Sequence, residues 1–515
     1  MSDMTQRPLV QLKDGAVRGT AESGVSAFLG IPYAAPPFGA NRMRPPQPVQ
    51  AWDGERDATA YGPTVPKGNY PPQYARLFPE VVIPGEDCLN LNVWTPGTDS
   101  TGLPVLVWIH GGSFTNGSGS VGEYDGTAFA RDGVVCVTIN YRLAAEGFLF
   151  LDDGIANLGL LDQLAALRWV QANIAAFGGD PARVTVAGES AGAMSVTTLL
   201  SMPLAGGLFS QAIAQSGAAA HTLGRDEARM VGGYLADALG VAADRDAIKA
   251  VPLARLVQAA SGLVAEVQTA ADPARWGQLA LSLLPFAPAV DGVVLPQAPL
   301  PAIAAGQGSE VRLLIGSNRD EARLFFVAPG TIDLIDDATL QAVAGAYGLS
   351  ADSLAVYRAN RPGASAGDVL AAVVTDWFFA IPPIRVAEAR AGRGSADRGS
   401  AGQGSSGRGS SGTWTYRFDY PAPEENHRLG ACHGAEVPFV FDTITRADVR
   451  PRIGHIPSQA VADQVHKVWV DFITSGDPGW PAYDTTSRTT GLLSDTISAV
   501  DDPAADERAR WEGIR

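Results

Sequence analysis

Apolar residues occur along this chain in short unbroken runs, with little strict alternation between apolar and polar positions. Such runs are typical of strands buried on both faces of a parallel sheet. The runs that predict strands are 105–110, 134–140, 184–187, 212–215, 311–315 and 414–420. Between them, apolar residues spaced i, i+3 and i+4 predict helices at 160–175, 191–202 and 461–475. The alternation predicts an α/β fold with a large, mostly parallel sheet flanked by helices.

Three segments depart from this alternation. Residues 225–300 and 330–390 are rich in Ala and Leu, and we expect helical excursions that form a lid or one wall of a pocket. Residues 391–412 contain 14 Gly or Ser among 22 positions, which predicts a flexible surface loop. We expect one domain over residues 1–515 with these segments as insertions.

Composition narrows the functional classes. The chain is 46% hydrophobic and 18% charged, which is typical of a globular protein. Its net charge of −16 argues against nucleic acid or an anionic membrane as a partner. We expect no signal peptide, and no apolar run approaches 18 residues, so we expect no transmembrane helix. The three widely spaced cysteines show no metal-ligand spacing and fit a reducing compartment.

The pattern G-x-S-x-G occurs twice, and context separates the two copies. In 188–192 the central Ser190 follows a predicted strand and precedes a predicted helix, as a nucleophile elbow requires. In 363–367 no strand precedes Ser365, so we interpret that copy as an ordinary loop. The alternative role for Ser190 is a helix N-cap.

A serine nucleophile also needs donors for the oxyanion. Residues 110–114 read HGGSF directly after a predicted strand. Consecutive glycines at a strand end let backbone N–H groups face a ligand. A plain tight turn explains the same residues equally well, so the sequence pattern alone leaves both interpretations open.

The general base and its acid must come later in the chain. Of the six histidines, His433 lies on a predicted loop beyond the strand at 414–420, where a base is expected. His466 falls within a predicted helix and His427 among charged and turn residues. Two adjacent acids, Asp320 and Glu321, follow the strand at 311–315, and spacing does not choose between them.

Longer stretches resemble the type-B carboxylesterase family, the cholinesterase-like branch of the α/β-hydrolases, and in particular its bacterial para-nitrobenzyl-esterase-like members. The similar stretches are FLGIPYAAPP (28–37), GEDCLNLNVWTP (85–96), INYRLAAEGFL (139–149), GESAG (188–192), GSNRDEA (316–322) and HGAEVPFVF (433–441). They follow the family's order across about 450 residues. The resemblance implies Ser190 as nucleophile, His433 as base and Glu321 as acid. It places the oxyanion donors in the turn that contains Gly111, Gly112 and Ser113, and at Ala191.

By the same resemblance we expect a serine carboxylesterase that cleaves neutral carboxylic esters through an acyl-enzyme, with a small-molecule ester as partner and no metal or organic cofactor. The alternatives are carbamate, amide or polyester-oligomer hydrolysis with the same triad, an interfacial lipase, or a non-catalytic binding protein of this fold. Aromatic candidates for the pocket wall are Phe114, Trp276, Phe286, Phe325 and Phe326. The sequence does not reveal the oligomeric state, and a monomer is compatible with it.

Two positions depart from the family pattern. Ser113 stands where the family has Gly or Ala, and its hydroxyl should alter tolerance for bulky alcohol esters. Ala322 stands where the family has Gly, which would cost stability if that position required a positive φ.

Other family features concern the compartment and the fold. Cys88 has no upstream partner for the disulfide of secreted members, which favours a bacterial-type cytoplasmic enzyme. Family ion pairs would join Arg42 to Glu86 and Arg142 to Asp162.

Overall fold

A central eleven-stranded sheet organises the molecule in the computed structural model, which describes residues 7–396, 412–422 and 428–515. Its strand order is β14-β13-β12-β11-β10-β9-β7-β8-β6-β4-β3, and β1, β2 and β5 form a separate small sheet. The strands are β1 (Leu9–Gln11), β2 (Ala16–Arg18), β3 (Thr20–Glu22), β4 (Val25–Pro32), β5 (Glu55–Asp57), β6 (Asn90–Thr95), β7 (Leu103–Ile109), β8 (Val135–Ile139), β9 (Gly179–Glu189), β10 (Gln211–Gln215), β11 (Arg312–Asn318), β12 (Thr413–Phe418), β13 (Thr489–Leu493) and β14 (Ile497–Asp501).

The middle of the sheet is parallel and its edges are antiparallel. Strands β8, β7, β9, β10, β11, β12 and β13 run parallel to one another. The pairs β13–β14, β6–β8, β4–β6 and β3–β4 are antiparallel. The predicted α/β architecture with a mostly parallel sheet is therefore confirmed, and antiparallel strands extend it at both edges.

Helices cover both faces of this sheet. They are α1 (Pro72–Ala75), α2 (Thr127–Arg131), α3 (Ala144–Phe148), α4 (Leu158–Asn173), α5 (Ala191–Ser201), α6 (Arg225–Leu239), α7 (Arg245–Lys249), α8 (Leu253–Ala270), α9 (Pro273–Trp276), α10 (Leu279–Ser282), α11 (Pro299–Ala304), α12 (Arg323–Val327), α13 (Asp337–Ala346), α14 (Ala351–Ala359), α15 (Ala366–Thr375), α16 (Ile381–Ala396), α17 (Val437–Val440), α18 (Arg450–Ile453), α19 (Gln459–Ser475) and α20 (Ala505–Arg508). A π-helical turn, Asp376–Ala380, joins α15 to α16.

Strand β7 shows why the central runs are continuously apolar. Val107 and Ile109 pack into the core on one face of the sheet, whereas Leu106 and Trp108 pack into the core on the other. Both sets are almost completely buried. A strand covered by helices on both faces has no solvent side, so the alternation expected of a half-exposed strand is absent.

The helical excursions are present, with one correction at the end of the second. Residues 225–300 hold α6 to α10 and the start of α11, and 330–390 hold α13 to α15 and most of α16. Helix α16 continues to Ala396, so the first residues of the predicted loop 391–412 are helical. Positions 397–411 of that loop lie outside the described residues.

Among the described residues, one helical stretch is long and apolar enough to cross a membrane by length and composition, namely Ala366–Ala391. Its most apolar window is 61% buried inside the protein. Val369, Leu370 and Val373 pack there against α13 and α14 in a third apolar cluster. Burial by other helices explains its composition as that of a core helix.

One of the two expected ion pairs is confirmed and the other is wrong. Arg142 and Asp162 form a pair at 2.7 Å with side chains at most 1% exposed. Arg42 pairs with Glu146 at 2.7 Å and not with Glu86. Glu86 is exposed, whereas Glu146 on α3 faces the buried guanidinium, which also donates to the carbonyls of Lys249 and Val251.

Candidate active site

Ser190 stands at a sharp turn between β9 and α5. Its backbone angles are φ 56° and ψ −123°, a strained conformation for a residue with a side chain. Gly188 and Gly192 permit the turn because a Cβ on Gly192 would lie 2.0 Å from the Ile109 carbonyl oxygen. Ser190 occupies the N-cap position of α5, as the alternative interpretation held, but its side chain makes no capping hydrogen bond. Ser365, in contrast, caps α15 and is exposed, as the loop interpretation required.

The HGG turn packs directly against Ser190. A Cβ built on Gly111 would lie 3.1 Å from the Cβ of Ser190. Gly112, Ser113 and Phe114 have φ values of 109°, 55° and 61°, so the turn is left-handed at three consecutive positions. The N–H of Ala191 also has no intrahelical acceptor, because it belongs to the first turn of α5.

His433 and Glu321 form the closest contact of the site. Nδ1 of His433 lies 2.6 Å from Oε2 of Glu321, and the Glu321 side chain is completely buried. The other carboxylate oxygen of Glu321 accepts from the backbone N–H of Asn318 at 2.7 Å. These contacts fix the carboxylate on both oxygens and hold the imidazole with Nε2 facing away from Glu321.

The neighbouring acid has a different position. Asp320 Oδ2 accepts from the backbone N–H of Ala431 at 3.0 Å, and Arg319 pairs with the same oxygen. Asp320 therefore joins two loops and does not contact His433. Ala322 has φ −75°, so the left-handed strain considered for this position does not arise. Its N–H donates to Thr375 Oγ1 at 3.0 Å, which anchors the loop after Glu321.

Two further glutamates lie beside His433, and sequence reasoning missed both. Glu189 Oε1 lies 3.1 Å from His433 Nε2. Glu436 is completely buried and accepts from Gln215 and Asn318. Their sequence positions offered a hint, because one precedes Ser190 and the other interrupts the apolar stretch after His433. An acid inside an apolar run needs a partner in the folded protein.

These carboxylates set the protonation of the site. Burial alone would lower the pKa of His433, but the negative charges of Glu189 and Glu321 outweigh it and raise that pKa to about 9. Burial raises the pKa of Glu189 to about 8, although attraction to His433 opposes the increase. Burial also raises the pKa of Glu436. A proton is therefore held readily at this end of the cavity.

Ser190, His433 and Glu189 open into one cavity of about 1050 Å³. Phe325 and Phe326, two of the five aromatic candidates, line it. The prediction that Phe114, Trp276 and Phe286 line the pocket was wrong. None of the three lines the cavity, and all are completely buried. Phe114 packs on Phe148, Trp276 on Tyr234, and Phe286 belongs to the main core.

Aromatic residues from the second excursion complete the wall, and the sequence had not singled them out. Phe378 and Phe379 come from the π-helical turn and line the cavity. The Phe379 ring lies 4.6 Å from the His433 ring, and Phe325 lies 5.4 Å from it. Leu256 and Val264 from α8 line the cavity from the first excursion.

The remaining chemical candidates lie outside this site. His466 is buried on α19 and contacts the Val440 carbonyl oxygen at 2.6 Å, a structural position as expected. His427 lies outside the described residues. Within the described ranges, no three His, Cys, Asp or Glu side chains are grouped to hold a metal ion.

The fold and this site define a protein of the α/β-hydrolase class. The chain belongs to the carboxylesterase family, whose model matches residues 6–499, and it is a carboxylic ester hydrolase. It is 36% identical to the para-nitrobenzyl esterase of Bacillus subtilis (strain 168), over 98% of each chain. It is also 36% identical to the phenmedipham hydrolase of Pseudarthrobacter oxydans, over 93% of this chain and 94% of that one. A solved carboxylesterase of Geobacillus stearothermophilus matches 98% of this chain and 100% of its own, with a TM-score of 0.83 and 35% identity.

Proposed function

We propose that this enzyme hydrolyses neutral carboxylic esters with Ser190 as nucleophile, His433 as general base and Glu321 as the acid that orients His433. The observation that carries the proposal is that the groups needed for acyl transfer lie together around one cavity. A strained serine turn, a histidine fixed by a buried carboxylate and a turn that carries backbone N–H groups all line one cavity. This is the set of groups that acyl transfer requires.

In the proposed reaction, His433 Nε2 takes the Ser190 proton while Oγ attacks the ester carbonyl carbon. The N–H groups of Gly112, Ser113 and Ala191 stabilise the resulting oxyanion, with Gly111 letting the turn approach the serine. His433 then returns the proton to the departing alkoxide, which leaves as the alcohol. Water, deprotonated by His433, repeats the attack on the acyl-enzyme and releases the carboxylic acid.

Glu321 supports these steps without taking the proton. Its contact with Nδ1 keeps Nε2 unprotonated in the neutral ring and stabilises the imidazolium formed during attack. Because burial withholds water from this carboxylate, its negative charge acts on His433 with little screening.

The cavity supports a substrate class. Its volume of about 1050 Å³ and its wall of Phe325, Phe326, Phe378 and Phe379 favour bulky, uncharged, partly aromatic esters. The relatives named para-nitrobenzyl esterase and phenmedipham hydrolase support the same preference. A small-molecule ester is therefore the proposed partner, with no cofactor required.

We also propose a cytoplasmic location in a bacterium. The three cysteines are free and buried, and burial raises the pKa of the thiol in each of them. Unreactive, unpaired thiols are compatible with a reducing compartment.

The test combines Ser190→Ala with a matched serine variant. Ser190→Ala should lose turnover of p-nitrophenyl butyrate and labelling by a fluorophosphonate probe, whereas Ser365→Ala, in the second G-x-S-x-G copy, should keep both. Retained turnover in Ser190→Ala would refute the nucleophile assignment.

A further inference from the structure

A loop from residue 61 to residue 88 forms one side of the cavity. It lies next to the turn of residues 111–114 that carries the proposed oxyanion donors, the oxyanion turn. Tyr70, Tyr74 and Phe78 on this loop line the cavity. No disulfide closes the loop, since Cys88 at its end is a free, buried thiol. Noncovalent contacts must therefore hold its two arms together.

Two sets of contacts join these arms. Near the base, Thr64 and Ile83 exchange backbone and hydroxyl hydrogen bonds at 2.9 and 3.0 Å. Nearer the cavity, the Lys67 ammonium donates to the Val81 carbonyl at 2.9 Å and pairs with Glu80 Oε1 at 3.1 Å.

The Lys67–Glu80 pair is unusual because of its burial. The side chains of Lys67 and Glu80 are 1% and 11% exposed, and both charges have left bulk water. Burial lowers the pKa of Lys67, against the attraction of Glu80. The free-energy cost of desolvating two charges is often as large as the stabilisation from their attraction. A contribution to stability is therefore a weak explanation for a buried ion pair.

The second oxygen of Glu80 connects this pair to the oxyanion turn. Asn116 Nδ2 donates to Glu80 Oε2 at 2.9 Å and to the Gly68 carbonyl at 2.8 Å. The backbone N–H of Asn116 donates in turn to the carbonyl of Gly112 at 2.9 Å. Glu80 thus reaches the proposed oxyanion donors through a single side chain.

The turn needs such an anchor because its own backbone is strained. Ser113 and Phe114, neither of them glycine, are left-handed in succession. On the far side, the N–H of Ala144 donates to the Phe114 carbonyl at 2.7 Å. On the other side, the N–H groups of Thr115 and Asn116 both donate to the Gly112 carbonyl at 2.9 Å, and Asn116 is the one of the two whose side chain reaches Glu80.

We propose that Lys67 and Glu80 are positioning residues that act through Asn116 to hold the oxyanion turn in its strained conformation. The proposal rests on the oxyanion role assigned to this turn under the proposed function. Lys67 holds the Glu80 carboxylate directed at Asn116, and Asn116 keeps the N–H groups of Gly112 and Ser113 aimed at the oxyanion. The pair also fastens the substrate-contacting loop to the same turn.

The decisive variant is Glu80→Met, which removes the acceptor for Asn116 with little change in volume. Loss of one oxyanion donor costs about 10²–10³ in kcat, and a loosened turn should cost about 10- to 100-fold with KM within about twofold. The rescue variant combines Lys67→Met with Glu80→Gln, which leaves an amide oxygen for Asn116 and no unpaired charge. It should stay within about threefold of the parent, because the anchor persists.

The measurements must separate positioning from folding. The kcat should be expressed per active site titrated with a fluorophosphonate, so that unfolded molecules do not count. A trifluoromethyl ketone adds to the serine and places an oxyanion in the turn, so its Ki should rise in parallel with the loss of kcat/KM. The matched control, Glu55→Met, removes a glutamate from an exposed ion pair with Arg18 and should change neither quantity.

Several outcomes would overturn the proposal. An unchanged kcat per site and an unchanged Ki in Glu80→Met would show that the pair is structural only. If that variant does not fold, Asn116→Leu tests the same anchor with the ion pair intact, and an unchanged kcat per site there would also refute it. Failure of the proposed function is distinguishable, since Ser190→Ala would then remain active.

Discussion

Substitution of Glu189 by Gln should shift the pH dependence of catalysis without abolishing it. Glu189 Oε1 lies 3.1 Å from His433 Nε2, the nitrogen proposed to accept the serine proton. Glu189 is the largest of the influences that raise the His433 pKa. Glutamine keeps the size of the side chain and removes its negative charge.

The expected change in the His433 pKa follows from the short separation between the Glu189 carboxylate and the imidazole. At an effective dielectric constant of about 20, unit charges about 4 Å apart attract by roughly 4 kcal/mol, and 1.36 kcal/mol corresponds to one pH unit. Glu189 is itself only partly ionised near neutral pH, because burial raises its pKa to about 8. We therefore expect the His433 pKa to fall by about one to two pH units in the variant.

The direction of the pH dependence follows from the proposed role of His433 as a base, since a base must be neutral to accept a proton. In the parent enzyme, kcat/KM should fall as the pH drops through the His433 pKa of about 9, since the protonated ring cannot accept the serine proton. In Glu189→Gln this acid limb should move to lower pH, so the variant keeps more of its maximal activity at pH 6.

The assay is kcat/KM for p-nitrophenyl butyrate from about pH 5.5 to 9.5, with product absorbance calibrated at each pH, because kcat/KM reports the free enzyme's ionisations. Glu22→Gln, which removes the same charge from an exposed position on β3, should leave the profile unchanged. An acid limb that stays in place, or moves to higher pH, in an active Glu189→Gln enzyme would refute this electrostatic reasoning.

Four further substitutions test other parts of the structure. Glu321→Gln should reduce kcat per titrated site by about a hundredfold or more, whereas Asp320→Asn, which loses only a loop contact, should lose far less; the reverse ranking would contradict the triad. Asp162→Asn leaves buried Arg142 unpaired and should lower the free energy of unfolding in urea by about 3–5 kcal/mol, a value that a near-zero change would contradict. Ser113→Gly removes a left-handed non-glycine residue and should raise the free energy of unfolding by about 1 kcal/mol. It should also change relative rates on branched-alcohol esters, and identical rate ratios would argue against a steric role for the hydroxyl.

The central sheet was predictable because strands buried on both faces give continuous apolar runs in the sequence. Every run interpreted as a strand falls on one of the strands β7 to β12. The edge strands were harder, since they carry polar residues and irregular pairing. Strand β4, for instance, has a register shift between Phe28 and Ile31, which breaks any regular period.

The pocket wall was not predictable in the same way. Phe114 and Phe325 both follow a functional segment closely in sequence, yet Phe114 turns into the core and Phe325 into the cavity. The difference arises from the left-handed backbone at Phe114 and the helix that carries Phe325. Composition cannot distinguish an aromatic residue in a core from one in a pocket, because both are apolar and only the folded structure determines which surface each one faces.

The adjacent acids Asp320 and Glu321 illustrate a choice that local sequence pattern leaves open and that tertiary structure determines. Both follow β11, and either could orient a histidine by chain order alone. In the folded chain, one carboxylate is partly exposed and joins the loop at Ala431, while the other is buried against His433. Burial separates their functions, because only the acid without solvent exerts its full charge on the imidazole. The same reasoning extends to Glu189, which sequence patterns did not single out and whose buried charge, with that of Glu321, raises the pKa of His433.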